Sequence, residues 1–540
     1  MRSIYLRVVV TAAVLTAAAL AAATAAPAAG AMDEGRPLTL EEAIVMALEQ
    51  NEAIVIERES LAAAESGMSG ARGAYDPVLE LSGGWRRATA PVNSAFSGAP
   101  AGQAAPTIES VGAGAAVRQL LPTGGTVVVS TDAARDTTDG AFSLLSPAYG
   151  TRVGIEVRQP LLRDRATDPA RSSIRVAASQ HEGAAAGLRR VISDTVTAAE
   201  RAYWTLVAAR REIEVRDEAV RLAAEQLEET RLRVENGAAP ETEIAQPRAE
   251  LERRRGELFA AREAASRADS ALKLLILGES DGTAWSRAFV PTDGPAIEVV
   301  PVDVGKAMQS ALASRPELQE AEAQRESRRA AAALARDAVR PALDLVASYD
   351  RFGLAGSQNP AGTSIPGLPA VLPAGMDGSW GRSFGMLDDG RFDDARFGVE
   401  FSIPLGNRAA RAGASIAGSA ERQADADLAR ARKEVQAEIL DAAAALDTAG
   451  QRIEAARAAR QAAEVQLAAE RDRYAAGLST NFLVLTRQND LSGARLDEIA
   501  ALTDYRKARV DMARASGTLL EERRIEIDAA STPEAPDQIS

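Results

Sequence analysis

The side chains able to do chemistry are few. One histidine, His181, falls inside a long helical pattern, and there is no cysteine. A lone imidazole flanked by helix formers is a solvated or pore-facing position far more readily than a general base. No carboxylates gather at ligand spacing, no nucleophile elbow appears, and no glycine loop could cradle a phosphate. These residue types argue against an enzyme and call for neither a cofactor nor a metal. The informative chemistry is that of chain reversal. In RDRYAAGLSTNFLVLTRQNDL (Arg471–Leu491), Gly477 supplies a left-handed position that ends a helix, and Ser479, Thr480 and Asn481 offer oxygens to cap the next.

The elements on either side of that turn are long. The entering run starts near Arg408 and reaches Ala476 without a proline, roughly 70 residues or about 105 Å of helix at ~1.5 Å per residue. An ordinary globular core needs no such helix. The chain carries the hairpin twice, because LRVENGAAPETEIAQPRAEL (Leu232–Leu251) lies 240 positions earlier, aligning Gly237 with Gly477. Its entering helix starts near Pro169. Pro240 fits the first turn of the outgoing helix, and Pro247, about two turns in, predicts a kink.

The duplication extends upstream. PLTLEEAIVMALEQN (Pro37–Asn51), with Thr39 as N-cap, pairs with PVDVGKAMQSALASR (Pro301–Arg315) at an offset of 264. Each copy is expected to run on as a helix into a proline stop, at Pro77 and Pro341. The period then changes to two. Leu79, Leu81 and Trp85 alternate with Glu80, Ser82 and Arg86, and Leu343, Leu345 and Tyr349 alternate with Asp344, Ser348 and Asp350. The returning strands set Val153, Ile155 and Val157, and Phe397, Val399, Phe401 and Ile403, against small or charged neighbours. That alternation alone also fits the edge of a soluble sandwich. Between proline stops and very long helices, it predicts a closed membrane barrel with a polar lumen and an apolar outside. The first strand region holds about 20 residues more than the second, around Leu121–Gly125, where Val111–Val117 and Thr126–Thr131 form a further hairpin. Whether it joins the wall is open at this level. Thr89–Thr107 and Phe352–Asp394, rich in Gly, Pro and Ser, suit long outer loops.

At the N-terminus, Arg2 and Arg7, an apolar run from Val8 to Ala23 and small residues to Ala31 describe a secretory signal peptide over residues 1–31. No later stretch is apolar enough to span a bilayer as a helix. An exported chain without cysteine must gain stability from packing or assembly. The net charge of −14 argues against nucleic acid as partner. The chain thus divides into a first repeat, 37–277 (strands 78–88 and 151–160, helical hairpin 169–277), a linker, 278–300, a second repeat, 301–527 (strands 342–350 and 396–404, helical hairpin 408–520), and a disordered polar tail, 528–540. At least four strands are too few to close a barrel alone, so a cyclic oligomer sharing one barrel is expected.

The duplicated order of helix, strands and long hairpin resembles the TolC-like outer-membrane efflux protein family, the outer-membrane factor of tripartite efflux and type I secretion systems. The segments that carry the likeness are LTLEEAIVMALEQN, RPELQEAEAQ, RDAVRPALDLVASY, VGIEVRQPL, FGVEFSIPL and RYAAGLSTNFLVL. The resemblance implies a mainly α chain forming a homotrimer, whose membrane β-barrel is continuous with a long periplasmic α-helical barrel. It places the protein in the cell outer membrane, where Leu79, Leu81, Trp85, Val153, Ile155, Leu343, Leu345, Tyr349, Val399 and Phe401 would face outer-membrane lipid. It makes Gly237 and Ala238, and Gly477, Leu478 and Ser479, the tips that meet a periplasmic adaptor, which joins the duct to an inner-membrane transporter. Some members close the periplasmic end with polar links, and here Tyr474, beside Arg473, and Glu243 hold two matching positions, suggesting a Tyr474–Glu243 hydrogen bond. Well-known members carry aspartates six and nine residues after the second tip glycine. Here those positions are Leu483 and Thr486, which favours a hydrophobic constriction at Leu483. The rival reading is a coiled-coil scaffold of the envelope that forms no channel.

Overall fold

The computed structural model describes residues 35–91, 98–100, 102–279, 281–294, 297, 299, 301–362 and 372–527. The expected signal peptide and polar tail lie outside the described residues. In chain order the elements are β1 (Arg36–Leu38), α1 (Leu40–Gln50), α2 (Glu52–Arg72), β2 (Val78–Thr89), β3 (Thr107–Leu120), β4 (Thr126–Thr138), β5 (Leu145–Pro160), α3 (Pro169–Glu235), α4 (Ala245–Ile276), α5 (Gly282–Ser286), β6 (Phe289–Pro291), α6 (Val304–Ser314), α7 (Pro316–Asp337), β7 (Ala342–Gln358), α8 (Trp380–Asp389), β8 (Asp393–Ser402), α9 (Arg408–Ala475), α10 (Asn481–Ser516) and α11 (Leu519–Glu522). They form two compact units, one drawn from Met1–Ala63, Glu182–Ala323 and Ala426–Ser540, the other from Ala64–His181 and Gln324–Asp425.

The second of these units holds one six-stranded sheet, ordered β2-β3-β4-β5-β7-β8 and antiparallel throughout. The β3–β4 hairpin, left open by the sequence, is part of this sheet, so the first repeat gives four strands and the second gives two. Its turn closes with Leu121 N donating to Gly125 O at 2.7 Å, and Gly124 sits at φ +81°. A Cβ at Gly124 would lie 2.4 Å from the Asp164 carbonyl oxygen, so conformation and space both require glycine. Several strands outrun their expected limits. β5 begins at Leu145 rather than 151, and β7 runs to Gln358 rather than 350, because residues 351–358 find ladder partners in Leu145–Val153 even where their own alternation fades at Gly353 and Gly356. β8 covers Asp393–Ser402 rather than 396–404, stopping short of Pro404, which has no N–H to give. The segment expected as one loop, Phe352–Asp394, also contains α8.

The other unit packs each short N-terminal helix onto its own long hairpin. Ala43 and Ala47 of α1 join Ala199, Tyr203 and Leu206 of α3 and Leu272 and Ile276 of α4, with Phe289 of the linker strand β6, in one buried cluster. β6 pairs parallel with β1. The twin cluster joins Ala311 of α6 to Val435, Ile439 and Ile453 of α9 and Ala501 and Tyr505 of α10. Alanine at so many contacts lets the helices approach closely, while each fully buried Leu or Ile contributes about 1.5–3 kcal/mol. α1 starts with a capping box: Thr39 Oγ1 accepts from Glu42 N at 3.1 Å, and Glu42 Oε2 accepts from Thr39 N at 2.9 Å. α6 starts with Asp303 Oδ1 accepting from Lys306 N at 3.1 Å.

Two expectations for the helices are corrected. Neither helix runs unbroken from its cap to the proline stop, because Asn51 (ψ 122°) and its counterpart Arg315 (ψ 124°) are extended and split α1 from α2 and α6 from α7. At Arg315 the cause is Pro316, whose ring excludes the helical region for the residue before it. Pro247 does not fall two turns into an α-helix. The outgoing segment opens as a 3-10 turn over Glu241–Ile244 and becomes α-helical only at Ala245. That puts Pro247 in the first α turn, where its missing N–H has no partner to lose.

Candidate functional site

Two sites were expected, at the hairpin tips and along the strands. The tips are built alike. Each incoming helix ends in a paired reverse turn: Gly237 N donates to Val234 O at 3.0 Å and Ala238 N to Arg233 O at 2.8 Å, while Gly477 N donates to Tyr474 O at 3.0 Å and Leu478 N to Arg473 O at 2.8 Å. Gly237 and Gly477 have φ of +70° and +77°, with open space around a notional Cβ, so backbone conformation alone selects glycine. Ala238 is exposed, and Leu478 is 79% exposed. Ser479 is fixed by a hydroxyl that donates to the buried Glu470 carboxylate, and Arg473 lies 3.6 Å from the same carboxylate.

The expected Tyr474–Glu243 hydrogen bond is not formed within the chain. Tyr474 packs against Ala463, Leu467, Val484 and Leu491, and its hydroxyl accepts from Arg233 Nη1, with the guanidinium carbon 5.6 Å from the ring centre. Glu243 is exposed on the 3-10 turn. The contact therefore joins the last turns of the two incoming helices rather than an incoming helix to an outgoing one. Arg233 is separated from Tyr474 by 241 residues, and no local pattern singles it out. Leu483 is exposed at the start of α10 beside Phe482, which is 60% exposed and was not singled out from the sequence. Thr486 turns its hydroxyl back to Phe482 O at 2.8 Å. His181 is a half-buried residue of α3.

The register of the sheet brings the expected strand residues into rows. Leu79, Val117, Val129, Ile155 and Tyr349 are successive partners across five strands. Leu81 and Val153 occupy the next row, and Leu343 and Leu345 face Phe401 and Val399. All share one face, with Leu81 and Phe397 both 75% exposed. Trp85 lies in the row of Tyr149, six residues from the row of Tyr349, which is roughly 20 Å along the strands. The two aromatic residues thus mark different levels. α8 docks on this apolar face: Ser383 is buried, its hydroxyl is 2.9 Å from Thr151 Oγ1, and Trp380 meets Tyr149 edge-on at 5.0 Å.

The opposite face is ionic. Arg158 bridges Asp344 and Glu400, both at 2.7 Å, and Arg152 joins Asp350 at 2.9 Å and Asp132 at 3.9 Å. Among the described residues, no helix is long and apolar enough to cross a membrane.

Residues 307–518 match the outer membrane efflux protein family. No curated protein matches the chain by sequence. In fold it is similar to a membrane protein from Pseudomonas aeruginosa (20% identical, covering 88% of this chain and 90% of that one, TM-score 0.60). It is also similar to the CmeC outer membrane channel of Campylobacter jejuni (16% identical, 89% and 86% covered, TM-score 0.60). A third likeness is to the outer membrane protein VceC of Vibrio cholerae (16% identical, 88% and 96% covered, TM-score 0.59).

Proposed function

We propose that this chain, which carries the outer membrane efflux protein domain over residues 307–518 and has a TolC-like fold, is the outer-membrane exit duct of a tripartite efflux or type I secretion system. Three copies share one outer-membrane β-barrel, and their helical hairpins line a periplasmic duct. Gly237 and Ala238, with Gly477, Leu478 and Ser479, meet a periplasmic adaptor, which connects the duct to an inner-membrane transporter. Leu79, Leu81, Trp85, Val153, Ile155, Leu343, Leu345, Tyr349, Val399 and Phe401 face lipid. The gate comprises Tyr474, with Arg233 in place of Glu243 as its polar partner, Arg473, and the apolar pair Phe482 and Leu483.

One observation carries this reading: a single sheet whose register gathers apolar side chains on one face and paired charges on the other. Water on both sides would leave the first face exposed, and lipid on both sides would leave the second uncompensated. A wall between lipid and an aqueous lumen satisfies both. The test is conductance of the detergent-extracted protein in a planar bilayer. Discrete steady channels are expected. Protein that stays at the bilayer surface without conducting would overturn the proposal.

A further inference from the structure

We propose that the β3–β4 hairpin is pore wall, so that three copies close a barrel of eighteen strands and this hairpin sets the width of what can leave. The inference rests on the channel reading above and adds to it the part of the duct that fixes its bore. Four observations carry it. The hairpin is paired on both sides along all but the last two residues of each strand, β3 to β2 from Thr107 to Arg118 and β4 to β5 from Thr126 to Asp136. Towards its turn, its side chains keep the two faces of the sheet separate: Val117 and Val129 lie on the apolar face, and Ser130 and Asp132 on the charged one, while at the far end Glu109 and Arg135 join Val111 on the apolar side. It is also tied into the charges of that face, since Arg152 reaches Ser130 Oγ at 3.3 Å and Asp132 at 3.9 Å while holding Asp350 of the second repeat.

The fourth observation is the sheet's own polarity. With six antiparallel strands in the order β2-β3-β4-β5-β7-β8, the two edge strands, β2 and β8, run in opposite directions. β8 of one copy is therefore antiparallel to β2 of the next, and the ring closes without a parallel join, as in the antiparallel barrels of the bacterial outer membrane. Copies of this chain thus complete each other's edges, leaving none open to lipid. The turn at Leu121–Gly125 is short, and two of the three connections at the other end of the strands, 90–106 and 359–392, are long, the asymmetry expected of periplasmic turns and outer loops.

The consequence is a wide bore. With strands ~4.8 Å apart and tilted by roughly 40°, eighteen strands close at a backbone diameter of about 36 Å, and twelve, the count without the hairpin, at about 24 Å. Removing residues 107–138 should leave a closable sheet, because β2 and β5 are antiparallel and both turn odd-numbered residues to the apolar face.

The absence of native cysteine makes thiol tagging in vesicles clean. Native mass is measured first, and graded polyethylene glycol maleimides are then applied to the full chain carrying Asp132→Cys, Val129→Cys or Glu156→Cys. We expect three copies per particle, tagging at Asp132→Cys and Glu156→Cys, and protection at Val129→Cys. Glu156→Cys in the chain lacking 107–138 should still take small maleimides, with the largest admitted polymer falling to about half the radius. Equal tagging at 129 and 132, a copy number other than three, or a size limit unchanged by the deletion would overturn the eighteen-strand wall, while bilayer conductance would leave the channel itself standing. If the deletion variant does not assemble, the contrast between 129 and 132 in the full chain, with the copy number, decides the matter alone.

Discussion

The two repeats agree closely at their hairpin tips and differ where their N-terminal helices break. Their tips remain near copies, with the same reverse turn, the same left-handed glycine and the same sequence of half-buried and exposed positions over 231–240 and 471–480. Their helix breaks have diverged in chemistry. At the first, Asn51 makes neutral bonds, its Nδ2 donating to Leu275 O at 3.3 Å and its Oδ1 accepting from Ala53 N at 3.0 Å. At the second, the buried Arg315 donates to Glu317 at 2.8 Å, Glu438 at 2.9 Å and Ala515 O at 3.1 Å, and Arg514 extends the cluster to Asp194 of the first repeat at 2.7 Å. The same backbone step is thus held by a side-chain amide in one copy and by an ion network joining both copies in the other. Geometry was kept, and the means of holding it was free to change.

The largest effect expected follows from that contrast. Arg315→Ala leaves two carboxylates and a carbonyl around an emptied site and should cost about 3–5 kcal/mol in denaturant unfolding, whereas Asn51→Ala should cost about 1 kcal/mol. Equal losses would mean that the network is ornament. The network should also show in acid. Burial would raise the Glu317 carboxyl, but its bonds to Arg315 and the nearby Arg514 outweigh that and hold it below its ordinary value. A lowered folded value stabilises the protein above the unfolded Glu value of about 4.3, and that stability is lost as pH falls through the folded value. Arg315→Ala should flatten this acid limb, and Asn51→Ala should not change it.

What was legible in the sequence follows the same division. Positions set by backbone geometry could be read directly: Gly237 and Gly477 announce left-handed turns, proline announces helix ends, and a period of two assigns Leu79, Ile155 and Tyr349 to one face. Positions set by tertiary partners could not. β7 extends to Gln358 because a neighbouring strand accepts it, and α8 forms despite Gly381 and Gly385 because its Ser383 side is buried on Thr151. Arg233 finds Tyr474 only after two long helices are packed, whereas Glu243 makes no bond to Tyr474 within the chain.

A smaller effect separates the tips from the breaks. Gly237→Ala and Gly477→Ala each force a Cβ into a left-handed conformation at about 1–2 kcal/mol, with no added clash because the space is open. The two costs should match within about 0.5 kcal/mol in the same unfolding experiment. Leu478→Ser should leave stability within about 0.5 kcal/mol, because the side chain touches little, yet weaken capture by a periplasmic adaptor in a pull-down. Unequal glycine costs would show that the tips, too, have diverged.

The smallest effects lie at the contact joining the two incoming helices. Arg233→Ala removes both the hydrogen bond to the Tyr474 hydroxyl and the cation above its ring, whereas Tyr474→Phe removes the first and keeps the second. The net value of each is about 0.5–1.5 kcal/mol, so each could shift an open–closed balance severalfold. If this contact restrains the tips, single-channel open probability should rise most for Arg233→Ala, less for Tyr474→Phe and not at all for Glu243→Gln. The order matters more than the size, because only a gate that uses both faces of Tyr474 separates the first two variants. An increase from Glu243→Gln alone would return control to the outgoing helix of the first repeat. No change from any of the three would leave Phe482 and Leu483 as the barrier, and a polar residue at 483 should then raise conductance where the polar variants had failed.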